Sequence, residues 1–459
     1  MEVQELLKLY AAHPQVTALD TLLKNDTSRN IFLKGLNGSG PAMTIASLFT
    51  KGRGSYVCVL NDQEEAGYFY HDLMQLTASN EVYFFPSAYR RAIKYGHVDP
   101  ANEILRTEVL SRLQDPDASF VIVTYPDALA ERVVAREVLK ENTLKISVGE
   151  KLDNMFVSDV LDEYGFEQVD YVYEPGQYAL RGSILDVFSF SYEFPYRIDF
   201  FGDEVETIRT FDVETQLSKE KLDSIYIVPE MSKDAKDSTS LLGSLPRNTF
   251  IAARDLAWCK ERIGSVWNDD PVVADEESFA DIDQMRKKLV RGDEFIREVL
   301  DFRRIHFWSR PMGTADATIH FSTQTQPIYH KNFDRVSESF HKYLDEGYTL
   351  YILSDQEKQA NRIRMIFEDR GDNIPFTAVN RTIHEGFADD TLRICFFTDH
   401  QLFDRFHKFN LKSDKARSGK ITLSLKELNQ FSQGYYIVHI DHGVGQFGGL
   451  VRTEVNGKL

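Results

Sequence analysis

Ile31-Phe32-Leu33-Lys34-Gly35-Leu36-Asn37-Gly38-Ser39-Gly40-Pro41-Ala42-Met43 carries an apolar run into a glycine-rich turn and out again into a helical pattern. Three apolar residues without polar alternation fit a strand covered on both faces. Met43–Phe49 then repeats apolar residues at helical spacing. The same unit recurs downstream. Tyr56–Leu60 (YVCVL) precedes the helical pattern Glu64–Leu73, Val82–Phe85 (VYFF) precedes Ile104–Leu113, and Phe120–Thr124 (FVIVT) is a fourth short strand. Short apolar strands separated by helices mark parallel βαβ units. The fold class read from this region is α/β.

The turn has the setting of a phosphate loop without its chemistry. The template G-x-x-x-x-G-K-[ST] finds its glycines at Gly35 and Gly40, with Gly38 between them. Pro41 stands where a lysine should reach the β- and γ-phosphates, and it removes one of the backbone donors that cradle them. Ala42 stands where a Ser or Thr hydroxyl should bind Mg²⁺. With both side chains missing, a strand–turn–helix without nucleotide is expected, and Pro41 suits a first helical position. Ile394–His400 (ICFFTDH) has the outline of a Walker-B strand followed by an acid. No intact phosphate loop shares its α/β unit, so it reads as a buried strand ending in a polar turn.

Composition narrows the function classes. The 459 residues correspond to about three domains at roughly 150 residues each. Lys and Arg total 53 against 71 Asp and Glu, a net charge of −18. Such a chain is repelled by phosphate backbones unless its cations share one face, so only weak duplex-DNA binding is expected. Cys58, Cys259 and Cys395 form no CxxC pair, which excludes a zinc ribbon and fits a reducing cytoplasm. MEVQELLKLY has no basic segment leading into an apolar one, and no apolar run nears the roughly 20 residues of a membrane span. A soluble, cytoplasmic, multidomain protein without a membrane partner is the expectation.

After about residue 140 the pattern changes. Tyr171–Tyr173, Ser183–Phe188, Tyr196–Phe201 and Glu206–Phe211 read as strands, with turns at Pro175-Gly176 and Gly202-Asp203, which predicts an antiparallel sheet in a small α+β insert. Phe250–Ala253 returns to the α/β style, and Ala280–Phe307 reads as one long helical region. Ser322–Gln326, ending at Pro327, reads as a boundary. Tyr348–Leu353, the helix Gln356–Glu368, Thr377–Val379 and Arg393–Phe397 predict a second α/β unit, and Asn410–Gly419 a linker. Gly434–Leu459 opens a β-rich module of 26 residues. That is short of the roughly 40 at which a domain stands alone, so the chain reads as a fragment of a longer protein.

Several motifs then point to a family. The GLNGSG loop, YFFPSAY, Glu174–Phe188 (EPGQYALRGSILDVF) and Pro195–Glu206 (PYRIDFFGDEVE) resemble the nucleotide-excision-repair protein UvrB. Ile208–Gln216 (IRTFDVETQ), Pro327–Asp334 (PIYHKNFD) and the terminal YYIVHIDHGVGQFGGL resemble UvrB's relatives, the bacterial transcription-repair coupling factors of the Mfd family. The resemblance implies domain 1a over 1–115, an inserted UvrA-binding domain 2 over 116–210, domain 1b over 211–325, a third α/β domain over 326–425 and a truncated Tudor-like module from 432. It further implies that the ATP- and Mg-using translocase motor, and with it most DNA contact, lies outside this chain. UvrA would dock on domain 2. The RNA polymerase β subunit would meet the terminal module, weakly or not at all given its truncation.

The resemblance also has limits. UvrB inserts a long aromatic hairpin where this chain has only Ser87–Ala101, with Tyr89, Tyr95, Arg90, Arg91 and Lys94. A solvated loop is the preferred reading over a nucleic-acid patch, given Asp99 and Glu103 beside it. Carried over by motif, the UvrA contacts are Arg181, Arg197 and Phe201. Arginines and an exposed aromatic are also the residue types of interface hot spots. Arg197, Asp199 and Phe201 alternate along one strand and share a face opposite Phe200, with Arg181 expected on a neighbouring strand. The alternative is that Arg181 and Arg197 pair with Asp186, Asp199 or Glu204 and that Phe201 is core. Alanine at either arginine is expected to spare the fold, with Phe201 the riskier position. Glu167 and Gln168 stand where relatives often carry a basic residue, which implies a weaker or differently balanced interface. His439, Asp441 and His442 fit a strand and its turn rather than a metal site, since no second ligand pair accompanies them.

The expected function is therefore a non-catalytic adaptor without a cofactor of its own, joining UvrA to RNA polymerase stalled at DNA lesions. The competing readings are a UvrB-like or helicase-like ATPase, opposed by Pro41-Ala42, and a DNA-damage-binding protein, opposed by the charge and the missing hairpin.

Overall fold

Strands that lack polar alternation must be covered on both sides, and helices flank the first sheet accordingly. The computed structural model describes residues 1–25, 28–79, 81–88, 100–115, 117–213, 215–229, 238–268, 286–308, 311–405, 409, 434, 436–439 and 443–446. Seven parallel strands form the first sheet, in the order Ala317–His320, Asn30–Lys34, Arg303–Phe307, Phe250–Ala253, Tyr56–Val59, Val121–Thr124, Val82–Phe85. Helices Gly40–Thr50, Gln63–Thr77 and Pro100–Arg112 follow the strands as the periodicity predicts. Asp62 starts the second of them by accepting the Glu65 N–H at 2.9 Å. Two N-terminal helices, Val3–Ala11 and Pro14–Lys24, add Leu6, Tyr10, Val16 and Leu19 to the same core. No helix among the described residues is long and apolar enough to cross a membrane.

One expected helix stops short and gives way to a strand. Of the described part of Ala280–Phe307, Gly292–Val299 is helical, but Arg303–Phe307 is a central strand. Its two arginines have the appearance of a helix surface. In fact the Arg303 guanidinium donates to the Leu22 and Leu23 carbonyls at 3.0 and 2.8 Å, completing the C-terminus of the Pro14–Lys24 helix.

The insert is a six-stranded meander in chain order: Glu167–Gln168, Gln177–Arg181, Ile184–Val187, Tyr196–Phe201, Glu204–Phe211, Ser218–Leu222. All neighbours are antiparallel except the first pair. Helix Asn154–Glu163 packs Val157 and Leu161 against Tyr178, Leu185 and Ile198 on its inner face. Tyr171–Tyr173 is not a strand; the ladder runs through Gln177–Arg181 instead. The expected boundary at 115/116 also moves. Val121–Thr124 belongs to the first sheet, whereas Leu144–Ser147 and its partner Ser224–Ile227 belong with the insert.

The second α/β module has the strand order Thr323–Thr325, Phe387–Asp389, Ile394–Thr398, Thr349–Leu353, Thr377–Val379, the last three parallel. The Ser322–Gln326 stretch, expected as a boundary, supplies its edge strand. Nor is this module a separate body. Leu353, Val379, Ile383, Phe387 and Phe396 continue the buried cluster of the first module. His13 and Asp389, both fully buried, pair across the join at 3.1 Å. Farther on, Tyr436–His439 and Gly443–Gln446 form the antiparallel hairpin read from the terminal motif.

Candidate functional site

The glycine turn that resembles a phosphate loop is filled by protein. Ser39 N–H donates to the Glu385 carbonyl at 3.0 Å, and Glu385 N–H donates back to the Ser39 hydroxyl at 3.0 Å. A Cβ on Gly38 would stand 2.9 Å from the carbonyl oxygens of both Glu385 and Gly386. Next to it, Asn37 N–H donates to the Thr323 hydroxyl at 2.8 Å, and its amide side chain to the Thr323 carbonyl at 2.7 Å. Peptide groups of the second module thus occupy the place of a phosphate. Pro41 and Ala42 are buried at the helix start, as Gly40–Thr50 as a whole is but for its last residue. Restoring the template with Pro41→Lys and Ala42→Ser is therefore expected to give no ATP binding up to about 1 mM by calorimetry, and no hydrolysis. Micromolar affinity in the double variant contradicts this reading of the loop.

The insert holds Arg181, Arg197 and Phe201, and their surroundings differ. Asp186 is fully buried on the strand between the two arginines. Arg197 grips it with two parallel bonds, Nε to Oδ1 at 2.7 Å and Nη2 to Oδ2 at 2.8 Å. Its Nη1 donates to the Gln216 carbonyl at 3.2 Å, and the guanidinium lies 4.4 Å from the Phe211 ring centre. Hydrogen bonding to Asp186 raises the Arg197 pKa further, despite burial. Arg181 pairs with the same carboxylate from the strand on its other side, two strands from Arg197 rather than next to it as expected. It also donates to the Asp170 carbonyl at 3.2 Å and stacks over Tyr171. The ion-pair alternative thus describes both arginines.

It fails for Phe201. Tyr196, Ile198 and Phe200 point inward, Arg197 and Asp199 outward, and Phe201 ends the strand 79% exposed. Arg209 pairs with Asp199 on that outer face, which is polar apart from Phe201 and the small cluster around Ala179 and Phe211. The two hairpin turns beside Phe201 are tied to the start of the Asn154–Glu163 helix. Leu152 N–H donates to the Asp203 carbonyl at 2.7 Å, and the Asn154 amide to the Gly182 carbonyl at 3.3 Å. That helix start exposes Met155 and Phe156. Both escaped the sequence reading. The signal was present: Val157 and Leu161, four apart, set the buried stripe and leave Met155 and Phe156 off it.

Glu167 and Gln168 form the exposed edge strand of the same sheet. Tyr89, Arg90, Arg91, Lys94 and Tyr95, the linker Asn410–Gly419, and Asp441 and His442 lie outside the described residues. Among the described residues no group of three or more His, Cys, Asp or Glu could hold a metal ion.

Residues 144–232, which contain this sheet and its helix, match the UvrB interaction domain family. Residues 431–459, with the terminal hairpin, match the CarD-like/TRCF RID domain family. Transcription-repair-coupling factors align along nearly the whole chain. The Escherichia coli (strain K12) protein is 22% identical over 92% of this chain and 42% of its own length. Two from Staphylococcus aureus, strains bovine RF122 / ET3-1 and Mu50 / ATCC 700699, are each 23% identical over 96% of the chain and 44% of their own length. The chain is thus similar to transcription-repair-coupling factors along nearly its whole length. It spans about two-fifths of the length of these relatives. Along the chain, Phe201, Met155, Phe156 and the Asp186 ion-pair centre all fall inside the matched interaction domain, and the filled glycine turn falls outside it.

Proposed function

We propose that this chain is a non-catalytic docking part of a transcription-repair-coupling factor, whose insert holds UvrA and whose terminal hairpin belongs to the surface that meets RNA polymerase. The observation that carries the reading is Phe201, a phenylalanine 79% exposed at the end of its strand on the outer face of the insert's sheet, where Ala179 and Phe211 by contrast are buried. Exposing so large an apolar side chain gains nothing in folding, and aromatics in such positions are the residues that anchor partners. Met155 and Phe156, on the segment tied to the neighbouring turns, widen the apolar edge. Arg181 and Arg197 contribute by fixing the sheet beneath it and by offering the outer edge of Arg181, 36% exposed. Catalysis by this chain is opposed by Pro41 and Ala42 and by the peptide groups that fill the glycine turn.

The test is binding of purified UvrA without nucleotide, measured together with melting of the same preparations. Phe201→Ala is expected to weaken the complex by about 1–4 kcal/mol, the span of interface hot spots. Its own stability should stay within about 0.5 kcal/mol of wild type, as for other exposed positions. Unchanged affinity in a Phe201→Ala protein that melts with the wild type puts the docking surface elsewhere.

A further inference from the structure

We propose that the Gly38-Ser39 turn is a docking site for a segment of this same chain, the His384-Glu385-Gly386 loop, and that Asp72 holds the loop as a neutral acid and releases it as a carboxylate. Asp72 lies on the Gln63–Thr77 helix, 3% exposed, at the meeting of three segments. Its Oδ1 accepts the His384 N–H at 2.6 Å, and the Ser39 hydroxyl bonds it from the glycine turn. A single carboxyl therefore touches both the docking turn and the docked loop.

Its surroundings disfavour a negative charge. Burial pushes its pKa up to about 7, outweighing both hydrogen bonds, and the Glu385 carboxylate adds to the rise. Glu385 is itself raised by burial, with Arg254 on the rim of the first sheet working against that. His71 and Tyr68 share the Asp72 helix, and the Tyr68 ring stacks on the His384 ring with centres 3.6 Å apart. From the second module, His400 Nε2 sits 2.9 Å from the His384 carbonyl oxygen. No cation among the described residues balances an Asp72 carboxylate.

Linkage fixes the sign. Docked, Asp72 keeps its proton to near neutrality; undocked and in water, it loses it near pH 4. The docked form therefore binds the extra proton between these values, and docking weakens by up to tenfold per pH unit as pH rises toward 7. Above that it levels off. Release is local, because Phe387 and Phe396 stay in the shared core on the far side of the loop.

Hydrogen exchange on the full chain tests this, read on peptides covering Ser39 and 384–385 and corrected for the intrinsic rate. Wild-type protection of these amides is expected to fall about 50-fold between pH 5 and 7, close to one proton per unit until Asp72 begins to ionise near 7. Protection of the Tyr196–Phe201 strand should not change. Asp72→Asn keeps an oxygen for the His384 N–H and cannot ionise, so its protection should stay flat across the range. A flat wild-type profile overturns the proposal. So does an Asp72→Asn profile with the wild-type slope, which would assign the titration to a group other than Asp72.

Discussion

Arg197→Ala is expected to cost the insert about 3–5 kcal/mol of stability, the penalty for leaving a buried charge without its partner. The Arg197 side chain is only 16% exposed, and the carboxylate it grips is fully buried. Removing the guanidinium strips Asp186 of two hydrogen bonds, leaves the Gln216 carbonyl without that donor and uncovers the Phe211 ring. Arg181 reaches one Asp186 oxygen from a more exposed position and cannot replace a bidentate grip. Lysine at 197 is not a conservative substitute, since a point charge does not match the two oxygens. Adding Asp186→Asn to Arg197→Ala should recover part of the loss, because the orphaned charge goes with it. Urea denaturation followed on the insert measures both variants, and a wild-type midpoint in Arg197→Ala contradicts the argument. The practical consequence is that any loss of the proposed UvrA binding in Arg197→Ala would report a damaged insert, whereas Phe201→Ala removes an exposed ring and leaves the sheet intact. This reverses the order of risk expected from sequence.

Phe200 and Phe201 show what the sequence made legible. Alternation along Tyr196–Phe201 assigns each side chain to a face, and the structure keeps that assignment. The strands Tyr56–Val59 and Val121–Thr124 were equally readable, because an apolar run with no polar face has few other homes. Arg303–Phe307 was not readable. Whether Arg303 covers a solvent face or ties off the carbonyls of a distant helix depends on contacts 280 residues away. Tyr171–Tyr173 misled for the opposite reason. Its alternation is real, with Val172 buried between two exposed tyrosines, but backbone pairing went to the next segment. At Asp186 the motif gave the residue without its depth. Its burial depends on Arg181, Arg197 and the packing of Val172, Phe188 and Phe211 nearby, which no local pattern states. The filling of the glycine turn was least accessible of all, since Ser39 and Glu385 stand 346 residues apart.

Gly35→Ala is expected to be as damaging as Arg197→Ala, for a reason unrelated to phosphate. Gly35 has φ +87°, where an L side chain costs about 1–2 kcal/mol. A Cβ there would also fall well inside 3.0 Å of the Phe321 carbonyl oxygen. That oxygen belongs to backbone fixed by the Phe321 N–H bond to the Lys34 carbonyl at 2.8 Å, so it has little room to retreat. Overpacking of this kind costs a further 1–3 kcal/mol or so, for a total of about 2–5 kcal/mol. Gly52 provides the control within the same chain. Its φ is +70°, yet nothing lies within 4 Å of its Cβ position. Gly52→Ala carries the conformational cost alone, about 1–2 kcal/mol. Chemical denaturation of the two variants separates the contributions. Equal losses would mean that the close approach of Phe321 has no weight. A clearly larger loss at Gly35 would mean that the first glycine of the template is required by the chain segment leading into the second module, with or without a nucleotide.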